Sequence, residues 1–149
     1  MDATLPSDDS GYLERLSQAI FMAGLNWKVI ENKWPHFKIA FSGFSPEKVA
    51  RISGKRVREL MNDPGIVRNE KKIAATIENA NVILGLQRDF GSVKEYIRSF
   101  GNSEEKLQRD LQARFSHVGP STARTFLWMV GYRLTPTKEE RAWLKAHRG

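Results

Sequence analysis

The stretch FSHVGPSTARTFLWMVG, Phe115 to Gly131, decides how the chain is read. A polar amphipathic run, Ser103 to Arg114, leads into it and ends at Phe115. A tight segment follows, Ser116-His117-Val118-Gly119-Pro120, and a second helix is expected from about Ser121, with Ala123, Phe126, Leu127 and Val130 on one face. Helix, glycine-containing hairpin, helix presents backbone N–H groups at a helix start, where an anion such as a DNA phosphate can sit. The same pattern also describes an ordinary αα-hairpin that only supports a core. The remainder of the chain has to decide between them.

Charge favours the first reading. Among 149 residues, 24 Lys and Arg stand against 17 Asp and Glu, a formal charge of +7, and such a balance suits a polyanionic partner. The chain has no cysteine, which excludes disulfides, iron–sulfur clusters and thiolate zinc sites. His36, His117 and His147 are too scattered to form a local ligand pair, so neither metal nor cofactor is expected. No secretory signal or long apolar run is visible, and a cytoplasmic location is the expectation.

The pattern along the chain is helical throughout. Residues 1–10 read as a polar N-terminal segment and 11–149 as a single helical domain with its hairpin at 115–122. Leu13, Leu16, Ile20 and Ala23 share a helix face. Asn26 caps a segment from Trp27 to Lys33, which Pro35 is expected to interrupt before an apolar turn at Phe37–Phe41. Ser45-Pro46 is a helix start, and Asn62-Asp63-Pro64-Gly65 is a turn by composition. Asn69 opens a helix to about Leu84, Ser92 with Glu95 suggests a capping box, and Ser103 is expected to cap the run before the hairpin. Thr137 with Glu140 suggests a second capping box. No segment alternates convincingly enough for a strand, so the fold class is all-α.

Ordinary catalytic motifs are missing: the glycines form no GxGxxG or phosphate loop, and neither GxSxG nor HExxH occurs. The four tryptophans offer stacking surfaces for extruded bases, or simply core.

Several segments resemble the 3-methyladenine DNA glycosylase I family of the helix-hairpin-helix glycosylases. Ala23-Gly24-Leu25-Asn26-Trp27 is similar to its AGLSW signature, and Phe44 to Ala50 to its F-x-P-x-K-V-A. Gly65 to Arg68, with Lys72-Ile73, Ile77 and Asn79-Ala80, resembles its GIIRxxxKIxAxIxNA segment. The hairpin, through Phe115, Val118-Gly119 and Thr122, is similar as well. The resemblance implies a helix-hairpin-helix glycosylase fold, double-stranded DNA carrying a damaged base as the partner, and hydrolysis of the N-glycosidic bond of alkylated purines such as 3-methyladenine in base-excision repair, by a monomer.

This chain departs from the family at three places. The family's base-reading glutamate falls on Ala19, its N-terminal pocket segment is replaced by MDATLPSDDS, and its Cys/His zinc clasp has no counterpart, which leaves packing and the C-terminal helix to hold the ends. The lysine of related lyases falls on Ser121, which cannot form an imine, so a monofunctional enzyme is expected. Glu139, near the position of an aspartate found in many relatives, lies inside the Thr137–Glu140 cap. The catalytic group stays unassigned. The expected base pocket is Trp27, Gln18 and Asn26, and the expected DNA-backbone contacts are Val118, Gly119, Ser121, Thr122 and Arg124. The alternative is a catalytically reduced DNA-binding protein that keeps the fold.

Overall fold

A computed structural model describes residues 5–147. Nine α-helices occur among them and no strand: α1 Asp9–Met22, α2 Trp27–Ala40, α3 Pro46–Ala50, α4 Gly54–Met61, α5 Glu70–Phe90, α6 Val93–Arg98, α7 Glu104–Arg114, α8 Pro120–Met129 and α9 Lys138–Ala146. The long α5 is the spine. It packs against α1, α3, α4 and α6, while α1 reaches across to α8 and α8 packs on α7. One continuous core runs from Leu13, Leu16 and Phe21 of α1 through Ile73, Ala80 and Ile83 of α5 to Ala123, Phe126 and Leu127 of α8. The apolar registers read from the sequence are the faces that meet, except at Ala23, which caps α1 and is exposed.

The starts of α3 and α9 follow their local chemistry. Ser45 accepts the Lys48 amide with Pro46 at the first helical position. Thr137 and Glu140 form the full reciprocal capping box. At Ser92 only one half forms: Ser92 Oγ accepts the Glu95 amide, while the Glu95 carboxylate pairs with Arg98. Ser103 caps nothing with its side chain; the Glu104 amide bonds to the Asn102 carbonyl.

Two elements run further than the sequence suggests. α2 continues through Pro35 to Ala40. An interior proline costs about 3 kcal/mol, and an aromatic ladder offsets it. Trp34 stacks on Phe37 at 4.9 Å and on Phe44 at 5.2 Å between ring centres, and Phe21 meets Phe37 edge-on at 4.9 Å. Such pairs contribute about 0.5–1.5 kcal/mol each beyond area burial. α5 continues to Phe90, where Gly91 at φ 93° ends it, a left-handed conformation that favours glycine.

The N-terminal segment is tied in from Leu5 onward. α1 begins at Asp9, with Asp8 as its cap. The Asp9 carboxylate accepts from Gln87 Nε2 at 2.7 Å and from the Val93 amide at 3.0 Å, which joins the start of α1 to the α5–α6 corner. Leu5 lies against Gly131, just after α8, while remaining largely exposed. Residues 1–4, the front of the stretch read as polar, lie outside the described residues. The C-terminal helix does less than the sequence reading assigned to it, because α9 buries no side chain.

Candidate DNA-binding hairpin and base pocket

The hairpin backbone is held from below. Asn79, fully buried in α5, reaches Ser116 with both ends of its amide: Oδ1 accepts the Ser116 N–H at 2.7 Å, and Nδ2 donates to the Ser116 carbonyl at 3.1 Å. An amide side chain thus replaces a strand partner for one residue of loop. Tyr96 of α6 adds a second brace. Its hydroxyl donates to Asp110 Oδ2 at 2.5 Å, Arg114 Nε donates to the same oxygen at 2.5 Å, and the Arg114 guanidinium lies over the Tyr96 ring. Burial, then the Asp110 carboxylate, pushes the Tyr96 hydroxyl far above its ordinary pKa, so it stays a donor.

Above this support the chain turns at His117, whose φ is 61°, the left-handed conformation where such hairpins favour glycine. Val118 is buried and anchors the turn. Gly119 is the N-cap of α8 and Pro120 its first residue, with no side chain capping the helix. The amides of Ser121 and Thr122 lack intrahelical partners by position, and the helix dipole adds positive potential there. A Cβ added at Gly119 would meet nothing within 4 Å. With φ at −94°, neither strain nor crowding inside the protein requires glycine. What the glycine leaves is an uncovered approach to the amides.

Arg124 is placed differently from the sequence reading. It turns away to the C-terminal segment, donating to Glu140 Oε1 at 3.1 Å and to the Thr135 carbonyl at 3.5 Å. Lys55, Arg56, Arg58, Arg68, Lys71 and Lys72 flank the Pro64-Gly65 turn in sequence, and two of these cations are likewise engaged: Arg56 with Glu59 and the Ala40 carbonyl, and Lys72 with the Ala23 carbonyl at 3.1 Å. Burial lowers the Lys72 pKa. Lys55, Arg58, Arg68 and Lys71 are exposed.

Beside the hairpin, α1 and α8 leave a cavity of about 130 Å³ lined by Ala19, Met22, Ala23, Ser121, Thr122 and Thr125. The two positions singled out by resemblance, Ala19 and Ser121, thus face one space. Gln18 does not join them. It lines a separate depression of about 510 Å³ with Glu14, Glu31, Trp34 and Lys38, and its Oε1 is buried without a hydrogen-bond partner. Asn26 spends its carbonyl on the Lys28 amide at 2.9 Å as the α2 cap. Trp27 starts α2 and is half exposed, lining neither cavity. Of the expected pocket and hairpin residues, the structure therefore brings together Ser121 and Thr122 but not Trp27, Gln18 and Asn26. A wider groove of about 830 Å³, walled by Trp128, Tyr132, Arg133 and Leu134, shares Thr125 with the small cavity.

The roles of three residues escaped the sequence reading. Asn79 stood in the family-like segment with no role given to it, and a local signal was available: a polar residue among Ile73, Ala80 and Ile83 on the buried side of α5. Met22 and Thr125 had none, since their role depends on how α1 crosses α8.

With this geometry in place, the comparisons with known proteins are specific. The solved structure of 3-methyladenine DNA glycosylase I from Staphylococcus aureus superposes with a TM-score of 0.77 at 28% identity, covering 87% of this chain and 79% of that one. The architecture is the all-α glycosylase fold. The methyladenine glycosylase family profile matches residues 3–124, and the chain belongs to that family. The DNA-3-methyladenine glycosylase of Haemophilus influenzae is 26% identical over 144 residues, 83% of this chain and 78% of its own length. DNA-3-methyladenine glycosylase 1 of Escherichia coli is 32% identical over 85 residues, 57% of this chain and 46% of that protein. The chain thus matches about half the length of the latter.

Proposed function

We propose that this protein is a monofunctional DNA glycosylase that removes N3-alkylated purines from duplex DNA, acting as a monomer in base-excision repair. The observation that carries this reading is the cavity between α1 and α8, set directly beside the uncovered start of α8. A phosphate at the Ser121 and Thr122 amides leaves the neighbouring nucleotide within reach of that cavity once it is extruded.

The chemistry asks little of the protein. An N3-methylated adenine carries its positive charge before the bond breaks, so it leaves as a neutral base without a proton donor. The C1′–N9 bond breaks with its electron pair going to the base. A water oxygen then bonds to C1′ and releases a proton to solvent. Catalysis here consists of extruding the nucleotide and holding the base in the cavity. No group is assigned to activate the water. Glu139 is exposed in the first turn of α9 and lines neither cavity. Ser121, lacking an amine, forms no imine, and strand cleavage without alkali is not expected.

Incubation with methylated duplex DNA, followed by chromatography of released bases, tests this. Free 3-methyladenine and an abasic strand that breaks only after alkali are the expected products. Duplex binding without base release would instead leave a DNA-binding protein on a glycosylase fold.

A further inference from the structure

The α1–α8 cavity contains no charged side chain. Ala19, Met22 and Ala23 form its apolar wall, and the hydroxyls of Ser121, Thr122 and Thr125 its polar one. None of these three hydroxyls hydrogen-bonds to another described residue. The polar equipment of the site is therefore three unengaged O–H groups.

That equipment determines what it can tell apart. At purine C6, adenine presents an amino donor and guanine a carbonyl acceptor. A carboxylate in the cavity only accepts, so it would bind the amino group and reject the carbonyl. A hydroxyl does both, rotating to donate or to accept. From this we infer that the cavity takes N3-alkylated purines of the adenine and the guanine type alike, with Ser121, Thr122 and Thr125 as the residues that relax the choice. The inference rests on the cavity being the base site, the reading argued above. The wall opposite the hydroxyls suits either ring, since Met22 and the two alanines contact faces and methyl groups without reading polarity.

Binding of the free bases tests this independently of catalysis. Isotope-labelled protein is titrated with 3-methyladenine and with 3-methylguanine, following the Ala19 and Thr125 methyl signals by NMR. The two affinities are expected to lie within about fivefold of each other, well inside the discrimination of a good directional contact. A preference above about tenfold for one base overturns the inference, as does failure of both to bind. Ala19→Glu, placing an acceptor opposite the hydroxyls, is expected to shift the ratio toward 3-methyladenine by on the order of tenfold or more; an unchanged ratio in a folded variant contradicts it. Thr125→Val keeps the shape, removes one hydroxyl, and should weaken both bases alike; selective loss of one would also contradict the inference. If both bases bind equally but methylated DNA yields neither, the glycosylase reading fails while the inference stands. Release and binding of 3-methyladenine alone gives the reverse.

Discussion

Replacing Asn79 separates the hairpin from its support, and the size of the effect follows from the two bonds it makes. Asn79 is fully buried, whereas Ser116 is half-buried at the surface of the turn. Asn79→Ala removes two hydrogen bonds, each contributing about 1 kcal/mol net, and leaves the Ser116 N–H and carbonyl to recover partners from water. Because water reaches Ser116, only part of the ~1–3 kcal/mol penalty for an orphaned group applies to each. The total is about 2–4 kcal/mol, a large share of a typical stability of about 5–15 kcal/mol, yet the domain should stay folded. Urea unfolding should show a lower midpoint with an unchanged slope. Amide exchange at Ser116 and His117 should accelerate, and duplex affinity should fall because the turn no longer holds α8's amides in place. Asn79→Asp keeps the acceptor for the Ser116 amide but sets a buried carboxylate oxygen against the Ser116 carbonyl, so at neutral pH it should destabilise at least as much as Asn79→Ala. A stability change below about 0.5 kcal/mol, within the range of a neutral surface substitution, would refute the clamp.

Other perturbations isolate other parts. Gly119→Ala should cost at most about 1 kcal/mol, the loss of a tolerable N-cap, because its Cβ meets no protein atom; filter binding across salt concentrations should nonetheless show weaker duplex binding with a nearly unchanged log–log slope, since the obstructed contact is made by neutral amides and not by a Lys or Arg cation. At Asp63, the Gly65 amide at 2.8 Å, followed by His36, holds the carboxyl below its ordinary pKa. A depressed carboxylate stabilises the fold above its unfolded pKa, and that contribution is lost as pH falls below about 4. Asp63→Asn should flatten this part of a urea-midpoint-versus-pH profile between pH 5 and pH 3. Gly65→Ala drives a Cβ to 2.2 Å from the His36 ring and should cost about 1 kcal/mol by displacing the His36–Asp63 contact; in a His36→Ala background, urea midpoints should show most of that cost gone.

Much of the architecture was legible in the sequence because its causes are local. Ser45-Pro46 and Thr137–Glu140 specify helix starts with atoms a few residues apart, and the Ile73–Ile77–Ala80 register marks the buried face of α5 wherever its partners come from. What escaped depends on distant groups. Pro35 should end a helix by local rules, but Trp34, Phe37 and Phe44 stack across it. Ser103 resembles a cap, yet its backbone, at φ −82° and ψ 66°, departs from the extended conformation that brings a cap side chain onto the second and third helical amides. Arg124 resembles a phosphate ligand by its place after the hairpin, yet Glu140 of α9 claims it. The separation of Gln18 from Ala19 was within reach of sequence reasoning: successive helical residues point about 100° apart, so neighbours seldom line the same narrow cavity.

The central claim is that a damaged base is held between α1 and α8 while the hairpin grips the strand. Single-turnover release of 3-methyladenine by Ala19→Phe measures it most directly, with duplex affinity determined on the same preparation. A phenylalanine at Ala19 fills the cavity from the α1 side and abuts its Ser121, Thr122 and Thr125 wall, so duplex affinity on the same preparation reports whether the start of α8 is intact. The account predicts release slowed by at least about tenfold, a loss of more than ~1.4 kcal/mol of transition-state stabilisation, with duplex affinity retained. Release at the wild-type rate in a folded Ala19→Phe protein would place the base elsewhere and contradict the account.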